Sequence, residues 1–492
     1  MTPRRRPDNR LIVPVMFVAT MSIVVMDGAI SNVALPAIAG QFRVPVAGVD
    51  GVVVVYPVCV GMAILVSGWL GDRFGDKPVL LTAMSFFTAF SALCGTAGSL
   101  GELVLLRGLQ GLSGGLLTPV VSTMLFRTFT SQERVRVSRT MIVPQQIAPA
   151  VAPMLGGLLV DGLSWRWVFY VNIPLGAVTV LFGLAFLEDR RQPPPGRFDL
   201  PGFLLSAAGA SALMYGLCEG AQQGWGSPGI AASLAGGAVL LATAVAYELR
   251  SPHPVLRLRL FTDRLFRNAN ILNLVGLVPF MGAMYLGPLF LQEALGATAL
   301  QSGSSTFTEA IGVLLTVQLV ARLYGRLGPR PIIATGLLCV AAGLMLLATC
   351  TAQTGLWTFR LYMFLLGLGM GAVFMPVTVA SFSTVAEADV GQASTMNSVL
   401  RQLSTAIAPA LVATLLTGGS GRLHSTAAMA SPPVHTYRTA YLVLAGIALV
   451  SCLLAAVSLR GTSARQTAAE EDVSHQGAVP NEPCRCDGGP LP

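Results

Sequence analysis

The chain has 492 residues, 53% of them hydrophobic and only 11% charged, with a mean hydropathy of +0.68. Soluble domains carry about 25% charged residues, so this composition excludes a soluble fold and predicts an all-α polytopic membrane protein. The formal net charge of +8 comes from arginines scattered over short segments, which argues against a nucleic-acid surface.

In chain order, a basic N-terminal segment, 1–10, precedes the first apolar run. Spans need about 20 apolar residues, and fourteen such stretches are expected, near 11–36, 47–70, 78–98, 100–126, 137–160, 166–187, 201–220, 228–249, 269–292, 303–323, 330–350, 357–383, 392–417 and 437–460. The first is too long for a signal-peptide core and carries Asp27 in mid-run, so it reads as a retained span. Six spans (11–187) form an N-terminal bundle, and a Pro-rich linker (188–200) leads to two inserted helices (201–249). A basic linker (250–268) then precedes a C-terminal six-helix bundle (269–460), and a polar tail (461–492) reads as disordered. With the N-terminus inside, cytoplasmic segments hold 24 of the 31 basic residues, external segments five and spans two, which predicts that both termini are cytoplasmic.

Between the second and third spans lies a charged island, Gly68-Trp69-Leu70-Gly71-Asp72-Arg73-Phe74-Gly75-Asp76-Lys77-Pro78, which reads as the turn of a membrane hairpin. Its second half returns as Arg326-Leu327-Gly328-Pro329-Arg330-Pro331. Three other collinear matches, Gly114 and Pro119 with Gly371 and Pro376 among them, keep the offset between 253 and 257 residues. A shared offset over so much sequence indicates a duplicated half, as in many secondary transporters.

Ionisable groups inside spans cost about 3 kcal/mol on insertion scales and default to functional candidates. Asp27, Arg107 and Glu309 are the three singled out as proton or substrate coupling residues. Counting along their helices at about 1.5 Å per residue puts all three in the outer half of the membrane. A carboxylate walled by apolar groups there can exchange a proton or pair with a cation. Asp27 and Arg107 also read as a structural pair that makes both tolerable. Pro153, Gly156 and Gly157 in the fifth span combine a proline kink with small residues that permit close helix approach.

Neither cofactor nor metal site is expected. Six of the eight cysteines lie in apolar spans, Cys484 and Cys486 are two thiols in a polar tail, and the four histidines, His253, His424, His435 and His475, all fall in loops or the tail. Without a nucleophile constellation or a phosphate loop, catalysis and direct ATP hydrolysis are disfavoured.

The Gly68–Leu80 turn resembles the loop signature of the major facilitator superfamily. Asp27-Gly28-Ala29-Ile30-Ser31-Asn32-Val33-Ala34-Leu35-Pro36 resembles the first-span signature of its fourteen-span drug:proton antiporter branch. Leu106-Arg107-Gly108-Leu109-Gln110-Gly111 is similar to the fourth-span motif, the run from Trp165 to Gly176 to the opening of the sixth span, and Asn397 with Arg401-Gln402-Leu403 to a motif of span thirteen. Two departures stand out: Ala152 precedes Pro153 where the span-five signature has glycine, and Asp76 occupies a position that is usually basic.

The resemblance implies an alternating-access exporter, not an enzyme, that exchanges protons for amphipathic organic compounds, drugs or antibiotics, as a monomer in a bacterial cytoplasmic membrane. On that reading Asp27, Arg107 and Glu309 couple protons or substrate, with Asp27 and Glu309 lining the cavity. Gly68, Asp72, Arg73, Gly75 and Lys77 form a cytoplasmic gate loop, Asp72 acting on a helix N-terminus or an arginine of the opposite bundle. Asn32, Gln110, Asn397 and Arg401 are further candidates for the central cavity. A single-metabolite exporter or symporter is the alternative. Lys77 is the only lysine, a bias expected of a GC-rich bacterial genome and compatible with self-resistance to an antibiotic.

Overall fold

The computed structural model describes residues 9–44, 49–188, 196–252, 254–417 and 434–458. Most of linker 188–200 and the whole 461–492 tail, with Cys484 and Cys486, therefore lie outside the described residues. Every long element is helical, as apolar sequence in lipid requires if each backbone N–H and C=O is to be paired within its own segment. Sixteen α-helices are described.

The first half contains α1 (Asn9–Val33), a short α2 (Leu35–Phe42), α3 (Asp50–Phe74), α4 (Asp76–Thr96), α5 (Leu100–Thr128), α6 (Ser131–Gly162), α7 (Trp167–Tyr170) and α8 (Asn172–Phe186). Next come α9 (Leu200–Gln223) and α10 (Pro228–Glu248). The second half comprises α11 (Arg264–Leu289), α12 (Ala299–Leu327), α13 (Pro329–Leu347), α14 (Leu356–Phe382), α15 (Val390–Thr417) and α16 (Val434–Ser458).

Thirteen helices among the described residues are long and apolar enough to cross a membrane, where the sequence predicts fourteen spans. The difference lies in α6. This helix is 32 residues long, but the side chains of 138–146 lie outside the described residues, so its described apolar run is Ile147–Gly162. Two other spans are interrupted. The expected 11–36 span breaks after Val33, with Pro36 in the first turn of α2, and the expected 166–187 span is divided between α7 and α8.

Local chemistry sets the helix starts. Ser99 accepts from the Glu102 N–H, Asp199 from Gly202 and Asp263 from Phe266, while Thr130 with Glu133 and Thr298 with Gln301 close capping boxes. The two hairpin turns hinge on glycines 253 residues apart: Gly75 at φ 94° and Gly328 at φ 71°. That backbone region penalises any side chain with a Cβ.

The duplication is visible in the packing. A Cβ on Gly111 or Gly115 of α5 would stand 2.6 or 2.4 Å from the carbonyl oxygens of Tyr56 and Val60 on α3. On α14, Gly367 and Gly371 meet the carbonyls of Glu309 and Val313 on α12 in the same way, at 2.1 and 2.7 Å. Backbones this close exclude alanine and draw their attraction from dispersion between helices, because lipid offers no hydrophobic drive. Equivalent α3 and α12 positions differ by 253 and equivalent α5 and α14 positions by 256, so Glu309 stands where the first half has Tyr56.

The halves meet along α3 against α15 and α6 against α12, with α5 touching α15. Near the α3–α4 turn the contact is dense. The Phe126 and Phe382 rings stack at 4.0 Å, Ser394 Oγ donates to the Pro119 carbonyl at 2.9 Å, and the Ser67 and Thr395 hydroxyls lie 3.1 Å apart. Helix α9 packs on both α3 and α15, straddling the seam, and α10 packs chiefly on α9. The α9–α10 connection is tied back by Trp225, whose Nε1 donates to Thr414 Oγ1 at 2.9 Å.

Candidate transport site

Asp27 lies on α1, and every donor around it comes from another helix. Arg107 Nη1 donates to Oδ2 at 2.8 Å, while Gln110 Nε2 at 3.0 Å and Asn172 Nδ2 at 2.7 Å donate to Oδ1. Arg107 also donates to Gln110 Oε1 at 2.8 Å and rests with its guanidinium carbon 4.2 Å from the Tyr56 ring centroid. Asn172 donates in turn to Ser91 Oγ, which donates to the Phe169 carbonyl. Asp27 is 0% and Arg107 2% exposed. An ion pair this deep needs hydrogen bonds on its remaining lone pairs to offset desolvation, and the three donors supply them.

This arrangement joins Asp27, Arg107 and Gln110 and leaves out Glu309 and Asn32. Gln110 belongs to the carboxylate network instead of the central cavity. Asn32 is on the exposed side of α1, its Nδ2 3.5 Å from the Gly28 carbonyl. Tyr56, Ser91 and Asn172 were not singled out as site residues. A lone asparagine opening the apolar run 172–186 was the signal that could have found Asn172.

Glu309 presents the opposite case. It is 2% exposed, on α12 against the Gly367 crossing, and among the described residues its carboxyl has no hydrogen-bond partner. Ionised, it would be an uncompensated buried charge, whereas the protonated acid is neutral.

At the α3–α4 turn, Arg127 from the end of α5 bridges two carboxylates, Nη2 to Asp72 Oδ1 at 2.7 Å and Nη1 to Asp76 Oδ2 at 2.9 Å. The arginine thus comes from the same half as Asp72, and not from the opposite bundle. What the opposite bundle brings is the N-terminus of α15: a Cβ on Gly391 would stand 3.2 Å from Asp72 Oδ1, and one on Gly68 would meet Thr395, Gln392 and the Gly391 carbonyl. A carboxylate at a helix start is favoured by the positive end of its dipole. Asp76, which departs from the usual basic residue, becomes the second acceptor for Arg127. Lys77 Nζ reaches back to the Leu187 carbonyl at the end of α8, and Arg73 is exposed.

In the fifth span, Gly156 lets α6 approach α1, since a Cβ there would be 3.0 Å from Ile30, whereas Gly157 faces open space. The side chain of Pro153 lies outside the described residues.

Between the halves is a cavity of about 30 Å³ whose walls include Met21 of α1, Ser122 of α5, Asn273 of α11, Thr378 of α14 and, from α15, Ser394, Asn397, Ser398 and Arg401. Asn397 and Arg401 are therefore brought to it. Asp27 and Glu309 are not among its lining residues, contrary to the expectation that both carboxylates face the central space. Occupied small-molecule sites measure roughly 300–1,000 Å³, so the halves are closed upon this space.

The family model of the Major Facilitator Superfamily matches residues 17–249 and 269–483. The puromycin resistance protein pur8 of Streptomyces alboniger is 30% identical over 469 residues, covering 93% of this chain and 92% of its own length. The multidrug transporter protein MdtP of Bacillus subtilis is 27% identical over 424 residues, covering 86% and 78%. Among solved structures, the proton:xylose symporter XylE shares the fold with a TM-score of 0.62 at 14% identity, over 90% of this chain and 94% of that one. With a match over most of its length, an all-helical fold and named transporters as relatives, the chain belongs to the Major Facilitator Superfamily and is a membrane carrier, not an enzyme.

Proposed function

We propose that this carrier is a proton-coupled exporter of amphipathic organic compounds, drugs or antibiotics, working by alternating access in a bacterial cytoplasmic membrane. The observation that carries the reading is Glu309, a buried carboxyl without a hydrogen-bond partner among the described residues. Such a group loads and releases protons as water reaches it and leaves. The resistance proteins among the relatives support export and the substrate class.

In this reading the chain has fourteen spans, with α6 as the fifth. Both termini are cytoplasmic, 11–187 and 269–460 act as two rocking bundles, and the chain works as a monomer. The Asp72–Arg127–Asp76 cluster, seated on the α15 start, latches the cytoplasmic side. Asp27 with Arg107 holds α1, α5 and α8 as one block, and Glu309 exchanges the proton. The small, hydroxyl-lined cavity favours a second reading, a dedicated exporter of one compound.

Uptake of a fluorescent amphipathic probe into inverted vesicles tests the proposal. An acidified lumen drives antiport into the vesicle, so uptake should appear with the gradient and collapse with an uncoupler. Uptake indifferent to the gradient contradicts proton coupling.

A further inference from the structure

The start of α9 and the end of α10 meet at a buried pair of carboxyls that the transport site does not use. Asp199 precedes α9 and is 8% exposed; Glu248 ends α10 and is 3% exposed. The pair lies on the side of the molecule that carries the Asp72 turn, since Trp69 Nε1 donates to the Gly196 carbonyl at 3.2 Å and the Trp69 and Phe198 rings stand 4.8 Å apart. A Cβ on Gly202 would be 2.8 Å from both Asp199 Oδ2 and Glu248 Oε1. The two oxygens are therefore at most twice that distance from each other.

Their surroundings differ. Asp199 Oδ1 accepts from the Gly202 N–H at 3.0 Å and the Tyr247 hydroxyl at 3.2 Å, and Oδ2 accepts from the Ser251 hydroxyl at 2.9 Å. These are the partners of an acceptor-only group, placed at the positive end of the α9 dipole. Glu248 sits instead at the negative end of α10, where a carboxylate is disfavoured. Its Oε2 receives the Leu256 N–H at 3.4 Å, while its Oε1 is buried without a hydrogen-bond partner. Among the described residues no cation pairs with either carboxyl: Arg197 and Arg250 are exposed, and Arg257 pairs with Asp389. His253 lies outside the described residues. Two like charges facing each other at this depth repel, whereas a proton on Glu248 removes one charge and gives Oε1 a donor aimed at Asp199.

We propose that Glu248 and Asp199 form a proton-binding site of their own, one proton held between Glu248 Oε1 and Asp199 Oδ2, which clasps the end of α10 and the linker after it to the start of α9. When the proton leaves, two carboxylates face each other and the clasp opens. The linker runs on to Arg257, whose partner Asp389 immediately precedes α15, so the state of the clasp reaches the start of that helix. The inference is independent of Glu309 and of the export reading.

The test uses the full chain in lipid nanodiscs. Hydrogen exchange of segment 249–257 is followed by mass spectrometry from about pH 5 to about pH 9, a range that begins above the ordinary carboxylate pKa of about 4. Wild type is compared at each pH with Glu248→Gln, whose amide supplies the donor permanently, so the intrinsic pH dependence of exchange cancels. Wild type should match Glu248→Gln at the acid end and exchange at least about tenfold faster at the alkaline end. The infrared difference between the two proteins should show one protonated carboxyl that disappears over the same pH range. Should Glu248→Gln fail to fold, Asp199→Asn, which still caps α9 and offers Glu248 an amide donor, takes its place as the closed reference. Wild-type exchange that tracks the variant throughout, or no protonated carboxyl in the difference spectrum, overturns the inference. Protection restored at the alkaline end by sodium or calcium, but not by choline at equal ionic strength, assigns the pair to a metal cation and overturns it as well.

Discussion

Replacing Asp27 by asparagine removes one charge from a site where the structure leaves the other no alternative. Asp27→Asn is nearly isosteric, so packing around α1 should survive. Arg107 would keep the Gln110 Oε1 at 2.8 Å and the Tyr56 ring at 4.2 Å but lose its counter-charge at 2.8 Å. Breaking a buried ion pair from one side costs about 3–5 kcal/mol. The aromatic face, worth up to about 2 kcal/mol to a desolvated cation, persists in the variant, which sets the expected loss at about 3 kcal/mol. Arg107→Gln should cost a similar amount by stranding the carboxylate. The double variant Asp27→Asn/Arg107→Gln leaves only neutral groups and should lose at least about 1.5 kcal/mol less than the two single losses added. Reversible SDS unfolding in mixed micelles, followed by tryptophan fluorescence, measures all four proteins. Additive losses, or a single-variant loss under about 1 kcal/mol, would refute the view of Asp27–Arg107 as a mutually dependent buried pair.

Gly367→Ala should destabilise by about 1–3 kcal/mol, because the new methyl meets the Glu309 carbonyl at 2.1 Å. Gly157→Ala, with nothing within 4 Å, should be neutral or gain up to about 1 kcal/mol of helix propensity; the same unfolding assay compares them, and equal effects would count against the close crossing. Ser67→Cys with Thr395→Cys replaces hydroxyls 3.1 Å apart, so mild oxidation should link the halves and stop transport until a reductant is added; no cross-link would contradict the closed seam. In that background Asp72→Asn should slow cross-linking severalfold, since it removes the charge facing the α15 start, worth about 0.3–1 kcal/mol. An unchanged rate would separate Asp72 from closure.

Much of the fold was legible because membrane constraints write themselves into composition. Long apolar runs separated by charged turns can only be helices, and the glycine of each hairpin turn was readable from the repeated turn motif. The depth count placed Asp27 and Arg107 at one level, and they do meet. What it could not show was direction around the helix axis. Gln110 stands three residues after Arg107 and shares its face, so it joins Asp27 and not the cavity. Tyr56, Ser91 and Asn172 come from three other helices, and contacts across such separations leave no periodic trace in one sequence. Tyr56 had one signal, its position 253 residues before Glu309, the offset of the repeated turn. For Asp72 the sequence offered a helix N-terminus or an arginine of the opposite bundle; the α15 start answers the first, while the arginine it meets, Arg127, reaches the turn from the far end of α5 in the same half.

The central claim is that proton binding at Glu309 drives transport, and it separates cleanly from substrate handling. In proteoliposomes, wild type and Glu309→Gln are compared for gradient-driven accumulation of a transported probe and for probe exchange at equal pH. The account predicts that Glu309→Gln, a permanent mimic of the protonated acid, still exchanges the probe but no longer accumulates it against a gradient. Accumulation at the wild-type level in Glu309→Gln would contradict it.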